Sequence, residues 1–189
     1  MVIFLYKIQF MKEIIKILIV LLSMENLHSQ NIIEFNSIKD IQNWSIVNDN
    51  VMGGLSKSTF YYLDDHAIFE GEISLENNGG FASVRGNIDE ITLSSKRKIN
   101  LIIEGDKKVY QLRIKKNKED YYSYVYNFKT NGENEIISIE LSNFKPFFRG
   151  TKINKENFNH NKIEQISFLI GNKVEENFKL KIKKIYTSH

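Results

Sequence analysis

Short segments in which apolar and polar residues alternate recur along the chain from residue 30 onward. In one of them Tyr110, Leu112 and Ile114 alternate with Gln111 and Arg113. Alternation with a period of two residues places one face of a strand in a core and the other in water. About ten segments share this pattern between Gly, Asn or Asp residues: 32–35, 58–63, 67–75, 81–85, 99–104, 109–115, 122–128, 136–141, 163–170 and 178–185. This spacing predicts an all-β fold, either a sandwich or a barrel.

Helical signals between these segments are scarce. Residues 37–43 are the exception, because Ser37 with Asp40 three residues later resembles a capping box and predicts one helical turn. A parallel α/β sheet is disfavoured, since no long helix alternates with the strands. The 189 residues, of which 42% are hydrophobic, fit one domain with a core. We therefore expect a single β-sandwich domain over residues 30–189.

The first 29 residues have the order of an export signal. Lys12 and Lys16 precede a short apolar run at residues 17–22, and polar residues then lead to Ser29, a small residue before Gln30. A basic region, an apolar region and a small residue in this order are typical of a signal peptide.

We therefore expect a signal peptide at residues 1–29, starting at Met1 or Met11, and a periplasmic or extracellular mature chain. An uncleaved membrane anchor is the weaker alternative. Charged residues interrupt the stretch before residue 22, whereas a transmembrane helix needs about 20 predominantly apolar residues.

The sequence offers little for catalysis. It has no cysteine, which excludes disulfides, cysteine zinc sites, thiol nucleophiles and a lipid-modified cysteine anchor. None of the four histidines has a partner at metal-ligand or triad spacing, and His66 and His160 are expected in exposed loops. We expect no enzyme, no catalytic residue, no metal and no cofactor.

Acidic residues in turns leave two minor alternatives open. Asp64 with Asp65 and Glu104 with Asp106 fall in predicted turns, where Asp favours local backbone hydrogen bonds. A pair of carboxyl groups across a cleft would serve a glycosidase, and turn carboxylates could hold a structural calcium ion.

The net charge of +3 does not by itself imply a polyanionic partner. Runs of lysine occur at residues 96–98, 115–118 and 181–184, but acidic residues lie close to the latter two. Solvated strand ends explain such runs, so no nucleic-acid partner is predicted.

One predicted hairpin carries an aromatic face. Tyr122, Tyr124, Tyr126 and Phe128 share one side of the segment 122–128. Packing in the core is the favoured interpretation, since aromatic rings bury large areas and favour strands. The alternative is a groove floor on which a sugar stacks.

Two clusters with paired glycines interrupt the strands. The first, NDNVMGGLS at residues 48–56, contains Gly53 and Gly54, and the second, ENNGGFASVR at residues 76–85, contains Gly79 and Gly80. Glycine pairs permit a positive φ or a close backbone approach, so both clusters predict sharply shaped loops.

Two arginines lie in motifs that contain glycine or proline. Arg85 ends the second cluster, and Arg149 belongs to NFKPFFRG at residues 143–150. The guanidinium fork of Arg85 could clamp Asp49 or Asp106 in a structural salt bridge, which is favoured over contact with a ligand.

The order of these motifs, with Trp44 ahead of them and Gly105-Asp106 and Tyr110 between the second cluster and NFKPFFRG, resembles the complex I intermediate-associated protein 30 family. The resemblance runs from about residue 35 to residue 185. It implies a galactose-binding-like jelly-roll sandwich and, in mitochondrial members, a non-catalytic role in the assembly of respiratory complex I.

The leading hypothesis is therefore a non-catalytic binding module for a protein partner in the cell envelope, with an exposed apolar patch near Met52, Leu55 and Phe81. A carbohydrate-binding module that uses the tyrosine face is the alternative, and a hydrolase ranks third. The candidate partner- or ligand-binding residues are Asp49, Met52, Gly53, Gly54, Ser56, Asn78, Gly79, Gly80, Phe81, Arg85, Asp106, Tyr110, Tyr124, Tyr126 and Arg149.

Overall fold

The computed structural model describes residue 9 and residues 11–16, 29–93 and 98–189. Most of the predicted signal peptide, including its apolar run, lies outside the described residues. Residues 9 and 11–16 are helical and exposed. No helix in the described part of the chain is both long enough and apolar enough to span a membrane.

Thirteen strands follow within the described ranges: β1 Gln30–Glu34, β2 Trp44–Ile46, β3 Lys57–Leu63, β4 His66–Ile73, β5 Ala82–Thr92, β6 Lys98–Glu104, β7 Val109–Lys115, β8 Ser123–Lys129, β9 Asn134–Glu140, β10 Lys145–Phe148, β11 Thr151–Lys152, β12 Lys162–Ile170 and β13 Glu176–Ser188. The short 3₁₀ helices are Ile38–Ile41, Asp49–Met52, Glu76–Asn78 and Leu141–Asn143.

The strands form two antiparallel sheets. Sheet A has the order β3-β4-β13-β6-β9, and β1 pairs with the second half of β13. Sheet B has the order β11-β10-β8-β7-β12-β5-β2. The two sheets pack face to face as a jelly-roll sandwich, which confirms the predicted fold class.

Each predicted strand segment has a counterpart among the observed strands, whereas β2, β10 and β11 were not predicted. These three strands have only two to four residues, too few to show an alternating pattern. The predicted helical turn is present as the 3₁₀ helix Ile38–Ile41, and the backbone N–H of Ser37 donates to the Asp40 carboxylate at 2.8 Å.

The core lies between the inner faces of the two sheets. As the alternation predicts, Tyr110, Leu112 and Ile114 of β7 are fully buried. The aromatic face of β8 also points inward, which confirms the core-packing interpretation for Tyr124 and Phe128. The ring of Tyr124 packs against Phe158, and the ring of Phe128 packs against Tyr110 and Phe168.

Candidate functional site

The carboxylate of Asp49 lies where the two paired-glycine clusters meet. Its side chain is 1% exposed, and its carboxylate oxygens accept hydrogen bonds from both clusters. The backbone N–H of Ser56 donates to Oδ1 at 3.0 Å, and the hydroxyl of Ser56 donates to Oδ2. From the second cluster, the N–H groups of Gly80 and Phe81 donate to Oδ2 at 2.6 and 3.2 Å. One buried carboxylate thus ties together two loops that are about 30 residues apart in sequence.

The same contacts keep this carboxyl ionised. Burial would raise the pKa of Asp49, but the hydrogen bonds from Ser56, Gly80 and Phe81 outweigh burial and lower the pKa. The charge of Asp49 is therefore stabilised by hydrogen bonds from neutral donors and does not require an arginine partner.

Each glycine pair combines two different requirements. Gly53 and Gly80 adopt positive φ values of 93° and 126°, which favour glycine. At the other two positions there is no room for a side chain. A Cβ at Gly54 would stand 2.4 Å from Cγ of Asp49, and a Cβ at Gly79 would stand 2.6 Å from its Oδ2. The prediction of tightly shaped glycine loops thus has a specific cause, the close approach of both loops to one carboxylate.

Asn48 extends this arrangement toward the sheets. Its side-chain oxygen accepts hydrogen bonds from the hydroxyl of Ser58 at 2.9 Å and from the N–H of Ser83 at 3.3 Å. The N–H of Asp49 itself donates to the carbonyl of Phe81 at 3.2 Å. The loops are therefore fastened to β3 and β5 as well as to each other.

We call residues 48–56 and 74–81 together the glycine corner. Its outer surface carries apolar side chains: Met52 is 69% exposed, Leu55 is 48% exposed, and Val51 and Leu75 are also exposed. Sequence reasoning named Met52 and Leu55, whereas Val51 and Leu75 were missed. Phe81 is only partly exposed. Hydrophobic side chains on rigid loops are a feature of interaction sites.

Nine of the candidate residues lie at the glycine corner. They are Met52 and eight others: Asp49, Gly53, Gly54, Ser56, Asn78, Gly79, Gly80 and Phe81. The remaining six lie elsewhere: Arg85, Asp106, Tyr110, Tyr124, Tyr126 and Arg149.

Asp106, which is partly exposed, and the buried Tyr110 form a link between the sheets. The phenol of Tyr110 donates to Oδ1 of Asp106 at 2.9 Å, while the backbone N–H of Lys179 donates to Oδ2 at 2.9 Å. Burial and the neighbouring Asp106 charge raise the pKa of Tyr110. These two residues join β7 to β13.

Tyr124 is buried in the interior, and Tyr126 is partly buried. The hydroxyl of Tyr124 lies 2.7 Å from Nε2 of His160, and the ring of Tyr126 packs against Phe144. His160 is consequently half-buried and not the exposed loop residue that was predicted. Burial, followed by the charge of Lys116, lowers its pKa. His66, the other predicted loop histidine, begins β4 and is also partly buried.

Arg149 occupies a turn. It has φ 47° beside Gly150 with φ 79°, which is the pattern of a two-residue hairpin between β10 and β11. Its guanidinium carbon lies 5.3 Å from the centroid of the Phe148 ring, and its side chain is exposed. Arg149 therefore belongs to the turn between β10 and β11 and does not lie at the glycine corner.

Arg85 does not form the salt bridge that was expected. In the described part of the chain no carboxylate lies within 4.0 Å of its guanidinium. Asp49 and Asp106 are satisfied by other donors. The side chain of Arg85 instead lies on the outer face of sheet B, since its strand neighbours Val84 and Gly86 point into the core.

The acidic turn residues do not assemble a metal centre. Among residues 29–93 and 98–189, no group of three or more His, Asp or Glu side chains could hold an ion. Asp64 and Asp65 have φ values of 48° and 58° and form the turn between β3 and β4.

Comparison with known proteins agrees with the motif pattern. The family described as Complex I intermediate-associated protein 30 (CIA30) matches residues 33–182. No curated protein sequence matches the chain.

Among solved structures, the chain is similar to a family 11 carbohydrate-binding module from Clostridium thermocellum in complex with a β-1,3-1,4-mixed-linked tetrasaccharide. The TM-score is 0.64 at 14% identity, and the match covers 85% of this chain and 95% of that one. The family 11 module of the cellulosomal cellulase Lic26A-Cel5E from the same organism gives a TM-score of 0.64 at 14% identity, covering 85% of this chain and 94% of that one.

The agarase AgWH50C is also similar, with a TM-score of 0.56 and 12% identity. That match covers 85% of this chain and 24% of the agarase. At such identities these similarities concern the fold alone.

Proposed function

The chain belongs to the complex I intermediate-associated protein 30 family, and we propose that it is a non-catalytic module that binds a protein partner through the glycine corner. The observation that carries the proposal is the exposure of Val51, Met52, Leu55 and Leu75 on loops that Asp49 fixes. The family is named for association with an intermediate in complex assembly, which supports a protein as the partner.

Rigidity of the corner favours binding. A loop that is already ordered loses little conformational entropy when a partner covers it. Met52 and Leu55 would each add apolar area to the interface, and burying a Met or Leu side chain contributes about 1.5–3 kcal/mol. Two such side chains on a fixed loop therefore supply a hot spot of the kind that dominates protein interfaces.

We further propose that the module acts in the cell envelope after cleavage before Gln30. The basic residues Lys12 and Lys16, the apolar residues 17–22 and the small residue Ser29 support export. The first strand of the sandwich begins at Gln30, so removal of residues 1–29 leaves both sheets complete.

Photo-crosslinking in cells that make the protein tests both proposals. A photoreactive amino acid at position 52 is expected to give one dominant protein adduct, in the envelope fraction and with Gln30 as the N-terminus. The control is position 136 on β9, where Ile136 is 61% exposed in sheet A, and it is expected to give none. Equal adducts at both positions would contradict the corner as the interface, and an adduct confined to the cytosol would contradict export.

A further inference from the structure

The outer face of sheet B carries a line of side chains that runs across six strands. Strand register places these residues side by side in the order Ser45, Arg85, Ser167, Arg113, Val125 and Lys145. They occupy β2, β5, β12, β7, β8 and β10 in turn. We call this line the cation row. Its three cationic residues lie two strands apart, a separation of roughly 10 Å at the usual spacing of about 4.8 Å between strands.

The charges of the cation row have no counter-charge in the described part of the chain. No carboxylate lies within 4.0 Å of Arg85, Arg113 or Lys145, and the row itself contains no acidic residue. Nε and Nη2 of Arg113 donate instead to the neutral side-chain oxygen of Gln111, at 2.9 and 2.6 Å.

Lysines on other strands show that this lack of pairing is particular to the cation row. On sheet A, Lys179 pairs with Glu70 and Lys181 pairs with Glu104, each at 2.7 Å. At the start of β12 in sheet B, Lys162 pairs with Glu90 at 2.8 Å and with Glu164 at 2.7 Å. Lysines elsewhere on both sheets are therefore paired with carboxylates, whereas the three cations of the row have no such partner among the described residues. Because uncompensated like charges destabilise a sheet, an external anion is the natural counter-charge for the cation row.

The row is also recessed. Ser167 is only 8% exposed although it belongs to the outer face, so longer neighbouring side chains lie over it. Burial, followed by the charge of Arg85, lowers the pKa of Arg113 to about 10. Partial removal from water strengthens the attraction between a guanidinium and an anionic ligand.

A groove of about 390 Å³ lies beside Arg113 at the β8 and β10 end of the row. Its lining includes the amides Gln111, Asn127 and Asn143, together with Lys145 and the half-buried ring of Phe147. Amides donate and accept hydrogen bonds, as sugar hydroxyls do, and an aromatic ring offers a surface for a sugar ring.

We propose that the cation row and this groove bind an acidic polysaccharide, whose carboxylate or sulfate groups pair with Arg85, Arg113 and Lys145. Evenly spaced cations suit a polymer that repeats its charge. The amides and Phe147 favour a hydroxyl-rich chain over an acidic polypeptide. The cation row lies on the opposite face of sheet B from the buried Tyr124, whereas Tyr126 also lines the groove; the row and the groove are both separate from the glycine corner.

Affinity titration in about 0.1 M salt tests the proposal with polygalacturonate, dextran sulfate, uncharged dextran and poly-L-glutamate. Wild type is expected to bind polygalacturonate, dextran sulfate or both, and the stronger of the two identifies the anionic group. The double variant Arg85→Gln/Arg113→Gln is expected to bind about tenfold more weakly or worse, since it loses two charge-assisted contacts. The exposed Lys145→Gln is expected to bind about threefold more weakly, and it keeps the test valid if the double variant misfolds.

Lys181→Gln is the matched control, because it removes the same charge from the outer face of sheet A. It is expected to change affinity by less than about twofold, whereas a purely general attraction to the net charge would make it equivalent to Lys145→Gln. The proposal would be overturned if dextran or poly-L-glutamate bound as tightly as the acidic polysaccharides, or if none of the probes bound. It would also be overturned if Lys181→Gln lost as much affinity as Lys145→Gln.

Discussion

Replacing Asp49 with alanine is expected to lower the free energy of unfolding by about 4 kcal/mol, because three buried or partly buried backbone N–H groups lose their acceptor at about 1–3 kcal/mol each. These donors belong to Ser56, Gly80 and Phe81. The corresponding fall in Tm is about 8–16 °C for a chain of this size. Denaturant unfolding at neutral pH measures the change directly.

The matched control is Asp89→Ala, which removes an exposed carboxylate from β5 and is expected to change stability by no more than about 0.5 kcal/mol. Dependence on pH gives a second readout. Because the pKa of Asp49 is lower in the folded chain than its ordinary value of 3.8, its ionised form stabilises the fold above that pH. The stabilisation is lost as pH falls through the folded-state pKa. The difference between wild type and Asp49→Ala should therefore shrink in acid, and a similar loss from both aspartate substitutions would contradict the role of Asp49.

The second large effect is expected at Gly54. In Gly54→Val the Cβ alone would stand 2.4 Å from Cγ of Asp49, so the carboxylate and both loops must shift. We expect a loss of about 3 kcal/mol or more, at the upper end for overpacked sites, and loss of partner binding at the corner. Thermal unfolding together with co-isolation of the partner measures both consequences.

Two comparisons isolate the cause at Gly54. Gly53→Ala changes the neighbouring residue, which has open space but a positive φ, and is expected to cost only about 1–2 kcal/mol. Lys118→Ala, an exposed change in the turn after β7, should be nearly neutral. If Gly54→Val and Lys118→Ala were equally tolerated, the close approach of Gly54 to Asp49 would not matter for the fold.

Local patterns predicted most of the sandwich because strand faces are encoded residue by residue. The alternation around Leu112 correctly assigned one face of β7 to the core. Paired glycines likewise indicated unusual loop geometry, and Gly53 and Gly80 have the positive φ that the sequence anticipated. Strand faces and glycine conformations depend on a few consecutive residues, so they can be predicted without knowing which strands pair.

Contacts between distant segments could not be predicted in the same way. The sequence does not show that Asp49 meets Gly80, nor that Arg85 lies in one row with Arg113, two strands away, because both depend on strand register. A salt bridge between Arg85 and Asp49 or Asp106 was predicted because these residues belong to neighbouring motifs, but the topology places Arg85 on the outer face of sheet B. Lys145 was missed because β10 is too short to reveal its faces.

The glycine corner and the cation row both result from the way the sandwich is held together. Asp49 and Asn48 satisfy the loop donors internally, which leaves the apolar side chains of the glycine corner free to face outward. The β7 to β12 pairing places Arg113 near Arg85 on the opposite side of sheet B from the core. A protein partner and an acidic polymer would therefore occupy separate sites.

The most direct measurement of the central claim is quantitative co-isolation of the partner from the native host with wild type, Leu55→Glu and Ile136→Glu. Both substitutions put a carboxylate in place of an exposed apolar side chain. We expect one stoichiometric protein with wild type and Ile136→Glu, and at least about tenfold less with Leu55→Glu, equal to about 1.4 kcal/mol. Undiminished recovery with Leu55→Glu, provided that this variant is folded, would show that the glycine corner is not the binding surface.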